Sequence, residues 1–265
     1  MTLYQLFLTK NECYISGRSM TPKGIMVHST GANNPNLKRY VGPDDGRLGK
    51  NQYNNHWNQP RPEGKQICCH AFIGKLADGS VATYQTLPWT MRGWHGAKGP
   101  NGSVNDTHIG FEIAEDGLTD PVYFRKAFTE AVELCAYLCK QFKLDPMKDG
   151  VIIGHYEGYA RGIASNHGDP KNWFPKHGES MDTFRAAVKQ AMIGKDAPAP
   201  PKPAPAPAPG EHTHVIVKGD TLWSLAVRYL GNGQKWPEIQ KLNGGIDPLK
   251  LPIGKILKIP GGQSK

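Results

Sequence analysis

Ile109-Gly110-Phe111-Glu112-Ile113 is a short apolar run with one acid embedded in it, and Val151-Ile152-Ile153-Gly154-His155 is a second that ends in a histidine. Between them, Asp120-Pro121 supplies a helix cap and a first-turn proline. The residues that follow, Phe124, Phe128, Val132, Cys135, Leu138, Cys139 and Phe142, recur at helical spacing. Strands alternating with a helix decide the class: an α/β domain with a central sheet. Working outward, Gly24-Ile25-Met26-Val27-His28 predicts another strand that delivers a histidine at its end. Ile67 to Ile73 and Ser80 to Tyr84 flank the turn signal Asp78-Gly79 and predict a hairpin. A last helix carries Phe184, Ala187, Val188 and Ala191 on one face.

The clearest boundary is Ala197 to Pro209, an alternation of alanine and proline broken once, at Pro201-Lys202. Such a stretch cannot build a helix or a sheet ladder, so an extended, semi-rigid spacer is expected. It divides the chain into a domain over 1–195, a linker over 196–212 and a small domain over 213–261. In the small domain, His214 to Val217 predicts a strand, and Asp220 is placed to cap a helix lined by Leu222, Leu225, Ala226 and Tyr229. Pro237 opens a second helix, and Lys255 to Pro260 predicts a final strand, giving the order β-α-α-β.

Composition narrows the partners. With 38% hydrophobic and 21% charged residues over 265 positions, the chain is of ordinary globular make-up. No apolar run approaches membrane-spanning length, and no membrane partner is expected. The first ten residues lack a charged region, a sustained apolar core and a small-residue cleavage site. Cytoplasmic accumulation, with delivery to the site of action by another route, is the expectation. A net charge of +9 is compatible with nucleic acid, an anionic membrane or an anionic polymer. It is not gathered into an Arg-rich stripe with interleaved aromatics, so nucleic acid is not expected. The five cysteines form no CxxC pair and no even disulfide framework, and read as buried, reduced thiols.

Two strands that each end in a histidine, His28 and His155, are followed by Ser165-Asn166-His167-Gly168-Asp169-Pro170. Strand ends converge on one edge of a sheet, so distant residues can meet there. Two imidazoles and a carboxylate form a three-ligand set for zinc with a position left for water. Zinc of this kind suits hydrolysis of an unactivated amide. Taken singly, each histidine reads more readily as a surface or hydrogen-bonded residue.

Six runs occur in order: Ile25 to Thr30, His70 to Ile73 with Asp78-Gly79, Trp94 to Ala97, Ile109 to Ile113, Gly154-His155 and Asp169-Pro170. Together they resemble the type 2 N-acetylmuramoyl-L-alanine amidases, zinc enzymes related to peptidoglycan recognition proteins, over roughly residues 20 to 190. The resemblance implies a mixed sheet flanked by helices with zinc in a groove at one edge. It makes His28 and His155 the first two ligands and Asp169, before Pro170, the third. His167 stands where the family often has a lysine that stabilises the tetrahedral intermediate, and it is also the alternative third ligand. Glu112 matches the strand glutamate that serves many members as general base, with Glu115 as a rival. Some relatives use a tyrosine where this chain has Cys69. His70 and His95 match positions near the groove, where a hydrogen-bonding scaffold role is the plain reading. In Cys68-Cys69-His70, adjacent strand residues point to opposite faces, which argues against a thiol centre.

Residues 213 to 260, with His214 to Trp223, Asn243 and Pro252 to Pro260, are very similar to a LysM module. That family binds polymers containing N-acetylglucosamine, and the resemblance implies contacts from Gly219, Asp220, Thr221 and Leu222, and from about Ile246 to Leu249. The whole then resembles a phage or prophage endolysin released by a holin, with bacterial cell-wall peptidoglycan as substrate and partner. Two other readings remain at this point: a non-catalytic peptidoglycan-binding protein, and a wall cysteine peptidase using Cys69 or Cys13.

Overall fold

In the computed structural model, the chain divides into two compact units, Met1–Lys195 and Asp196–Lys265. The structure describes residues 1–117, 120–193, 211–216, 220–230, 232–248, 251–252 and 255–260. The first unit runs β1 (Leu3–Gln5), α1 (Glu12–Ser16), β2 (Gly24–Ser29), β3 (Ala71–Lys75), β4 (Val81–Gln85), β5 (His108–Ile113), α2 (Pro121–Phe142), β6 (Ile152–Gly154), α3 (His155–Ala160) and α4 (Met181–Ile193). The second runs β7 (Glu211–Val215), α5 (Leu222–Leu230), α6 (Trp236–Leu242) and β8 (Ile256–Pro260).

The first unit is built on a six-stranded sheet in the order β1-β4-β3-β5-β2-β6. Only β3 and β4 pair antiparallel, as the hairpin around Asp78-Gly79; every other pairing is parallel, so the sheet is mixed. The three-residue edge strand β1 is too short to carry a periodic signal, and it was not legible in the sequence.

Side-chain alternation divides the strands between two faces. Ile25 and Val27 of β2, Ile109, Phe111 and Ile113 of β5, and Ile152 of β6 turn to one face. There they meet Phe124, Phe128, Ala131, Cys135 and Leu138 of α2 and Phe184 and Val188 of α4. Asp120 caps α2 by accepting hydrogen bonds from the backbone N–H groups of Val122 and Tyr123, with Pro121 in the first turn. A cap of that kind contributes about 1 kcal/mol. Parity sends Met26 and His28 of β2, and Gly110 and Glu112 of β5, to the opposite face. On that face the long connection between β2 and β3 lies over the sheet, with Leu37, Tyr40, Val41 and Leu48 packed against Phe72 and Tyr84.

The second unit pairs β7 antiparallel with β8 and buries Ile216, Leu222, Leu225, Ala226, Ile239, Leu257 and Ile259 in a small core. Its first strand begins three residues earlier than the apolar run from His214 suggests. Thr221, not Asp220, closes the start of α5: its hydroxyl accepts from the Ser224 N–H while the Ser224 hydroxyl accepts from the Thr221 N–H. Asp220 instead accepts a hydrogen bond from His214 Nε2 at 2.7 Å. Asn243 acts as an extra rung, accepting from the Lys258 N–H and donating to the Lys258 carbonyl, and so fastens the end of α6 to β8.

Candidate metal centre and its cleft

His28 lies at the C-terminal end of β2, in register with Glu112 on β5, and Val27 is paired with Gly154 on β6. The residue after Gly154 is His155, which opens α3, so the two histidines leave adjacent parallel strands side by side. The start of α3 is pinned by Glu157, which accepts from the Gly154 N–H. Arg185 of α4 holds that carboxylate with both of its terminal nitrogens. Asp169 arrives from the loop after α3, and the buried Trp173 and Phe174 anchor the following turn in the core beneath α2.

The three side chains meet. One ligand atom from each of His28, His155 and Asp169 lies within 4.8 Å of the other two. Nδ1 of His28 is 3.0 Å from Asp169 Oδ2, and Nδ1 of His155 is 3.5 Å from Asp169 Oδ1. The two Nδ1 atoms themselves stand 3.1 Å apart. Burial holds His28 below the usual histidine range, against the opposing pull of Asp169. Burial pushes the Asp169 carboxyl up, but the two imidazoles beside it hold it well below the usual carboxylate range. Two imidazoles that face each other nitrogen to nitrogen, with a carboxylate at hydrogen-bond distance, gather several lone pairs at one point. A cation satisfies them, and the two-nitrogen, one-oxygen composition suits zinc.

His167 is exposed and stands outside this cluster. Its ring packs beside that of His155 with centroids 4.7 Å apart, and its Nδ1 is 3.0 Å from the Ser165 hydroxyl. Of the two candidates for third ligand, Asp169 is therefore the one the fold brings to the histidines.

Glu112 has a different environment. Its Oε2 is buried and has no hydrogen-bond partner among the described residues. Burial, with the charges of Asp169 and Glu115 adding to it, pushes its carboxyl well above the usual range. The side chain opens into a cleft of about 360 Å³ lined by Thr30, Asn34, Arg39, Tyr40 and Trp57 among others. Glu115 lies past the end of β5, where its carboxylate accepts from the Gly31 N–H and its own N–H donates to Thr30. It holds the loop after β2. Tyr40 brings a phenol into the cleft from the β2–β3 connection, a stretch with no periodic signal to announce it.

His70 is a scaffold residue: its Nε2 donates to the Met91 carbonyl and its Nδ1 accepts from the Gly110 N–H. Burial lowers its pKa to about 4. All five cysteines are buried and unpaired; burial pushes the Cys69 thiol well up, while a hydrogen bond with Cys68 draws the Cys13 thiol down.

In the second unit, Leu222 is a core residue with 1% exposure, so its side chain is packed away from any glycan. Thr221 is exposed, Asp220 is engaged by His214, and Ile246 packs half-buried against the core. Gly219 and Leu249 lie outside the described residues.

The chain belongs to the N-acetylmuramoyl-L-alanine amidase family, whose model matches residues 18–172. A LysM domain is matched over residues 214–260. The chain is similar to the N-acetylmuramoyl-L-alanine amidase CwlH of Bacillus subtilis, 32% identical over 113 residues. That match spans 38% of this chain and less than half, 43%, of the relative. Among solved structures, the Staphylococcus aureus hydrolase AmiA, determined with its ligand, has the same fold: TM-score 0.51 at 20% identity, covering 73% of this chain and 83% of that one. A mutant endolysin from Bacillus subtilis aligns at 25% identity with a TM-score of 0.47, over 71% of this chain and 99% of that one.

Proposed function

We propose that this chain is a zinc-dependent peptidoglycan hydrolase. It cleaves the amide joining N-acetylmuramic acid to the L-alanine of the stem peptide, and the LysM unit holds it on the wall. The observation that carries the reading is the pairing of a convergent His28, His155 and Asp169 with a buried, unpartnered carboxylate on the neighbouring strand. A protein that only binds peptidoglycan has no need of that carboxylate, which costs stability where it is.

His28, His155 and Asp169 would hold the zinc ion. When bound, zinc polarises the scissile carbonyl and makes water acidic enough to attack it near neutral pH. Glu112 takes the proton of the attacking water and passes it to the departing amine of L-alanine. Its raised pKa suits both halves of that transfer. Tyr40 and Thr30, which share its cleft, orient the substrate amide. His167, beside His155 and open to solvent, donates a hydrogen bond to the oxygen on which charge develops.

Mass spectrometry of digested peptidoglycan tests the reading. The expected products are glycan chains stripped of peptide and stem peptides with a new L-alanine amino terminus. Cuts within the glycan or within the peptide would replace the reaction, and intact muropeptides would leave a binding protein.

A further inference from the structure

His95 is half-buried, with its ring set between those of His28 and His70, and the role described so far leaves it unused. Its Nε2 lies 3.1 Å from the carbonyl oxygen of His108, and its Nδ1 lies 3.0 Å from Nε2 of His28. A carbonyl oxygen can only accept. The His95 proton therefore sits on Nε2, and Nδ1 presents a lone pair to His28. His28 must answer with a proton on its own Nε2, which leaves its Nδ1 bare toward His155 and Asp169. The direction of the chain is set at its far end by a backbone atom of β5, which cannot change its role.

The space for this relay is written into the same strand. A Cβ at position 110 would fall 2.3 Å from the ring atoms of His95, so only glycine lets the imidazole lie across β5. The backbone N–H groups of His95 and Gly96 both donate to the Asn105 side chain, which fixes the loop that delivers the ring.

We propose that His95 is the positioning residue of the metal centre: by accepting from Nε2 of His28 it fixes the tautomer that turns the Nδ1 lone pair to the metal. The proposal rests on the zinc reading above and adds to it a residue that touches neither metal nor substrate.

The test uses the full chain and zinc alone, with affinity measured by competition against a chromophoric chelator. His95→Leu removes the acceptor and should weaken zinc binding by about 10- to 100-fold, the usual loss when the outer partner of a ligand histidine is removed. His95→Asn keeps an acceptor oxygen near the position of Nδ1 and should recover most of that loss. Wild-type affinity in His95→Leu, or no advantage of Asn over Leu, overturns the proposal. Should the Leu variant not fold, nitrogen-15 NMR of the wild-type imidazoles decides: His28 protonated at Nε2 is expected, and His28 protonated at Nδ1 overturns it. Wild-type protein that takes up no zinc would instead sink the metal reading, and the ring tautomer would still be read directly.

Discussion

On β2, His28 has both ring nitrogens engaged, one by His95 and one facing His155 and Asp169, while on β5 its register partner Glu112 has a buried oxygen with nothing to bind. Both belong to the same face of the same sheet, one strand apart. The first is a group held in place by its neighbours through several layers of hydrogen bonds. The second is left under-satisfied, at a free-energy cost that packing elsewhere must offset. The difference separates holding from reacting: a ligand must be fixed in one orientation, whereas a base must gain by accepting a proton.

The largest expected effect breaks the held side. Asp169→Ala leaves two histidines facing each other, and zinc content after dialysis should fall to background together with all turnover on a muropeptide. Retention of one zinc per chain with loss of turnover would move Asp169 to the reacting side.

Glu112→Gln strikes the reacting side alone. Turnover should drop by at least about a hundredfold, the scale of general acid–base catalysis, with zinc content unchanged. Near-normal turnover would assign the proton transfer elsewhere. His167→Ala should have a smaller effect, at most about a hundredfold, again with zinc retained, because the residue donates one hydrogen bond to developing charge from an exposed position. If His167→Ala loses zinc while Asp169→Ala keeps it, the two assignments are inverted.

The smallest effect is thermodynamic and sharpens the contrast. The folded-state pKa of Glu112 is raised above its ordinary value of 4.5. In that case the native state binds more protons than the unfolded state between the two values, and stability falls as pH rises through that window. Metal-free Glu112→Gln should therefore melt higher than metal-free wild type at neutral pH, and the gap should close below the ordinary glutamate range. Equal melting temperatures at both pH values would show that the carboxylate is not under-satisfied in solution.

Much of this arrangement was legible in the sequence, and the reason is the sheet. Apolar runs ending at His28 and His155 announce strands, and strand ends meet, so residues 127 positions apart could be placed together. The acid inside Ile109–Ile113 was equally visible, because an apolar strand exposes any charge set into it. What escaped were contacts made by loops and by the far face. Tyr40 enters the cleft from an irregular connection, and His95 meets His28 across a gap opened by Gly110; neither relation leaves a period in the chain. In the LysM unit the domain was legible, but some duties of its residues were not. Leu222 went to the core and the capping passed from Asp220 to Thr221, because a domain this small must draw its few packing and capping groups from the same short motif that names it.

The five buried thiols have a practical consequence for watching the protein at work. Because each cysteine is sealed in the interior, a thiol placed on the surface would be the only one open to rapid labelling. An exposed position such as Tyr53 could then carry a fluorophore or a spin label in the natural background, with no native cysteine removed.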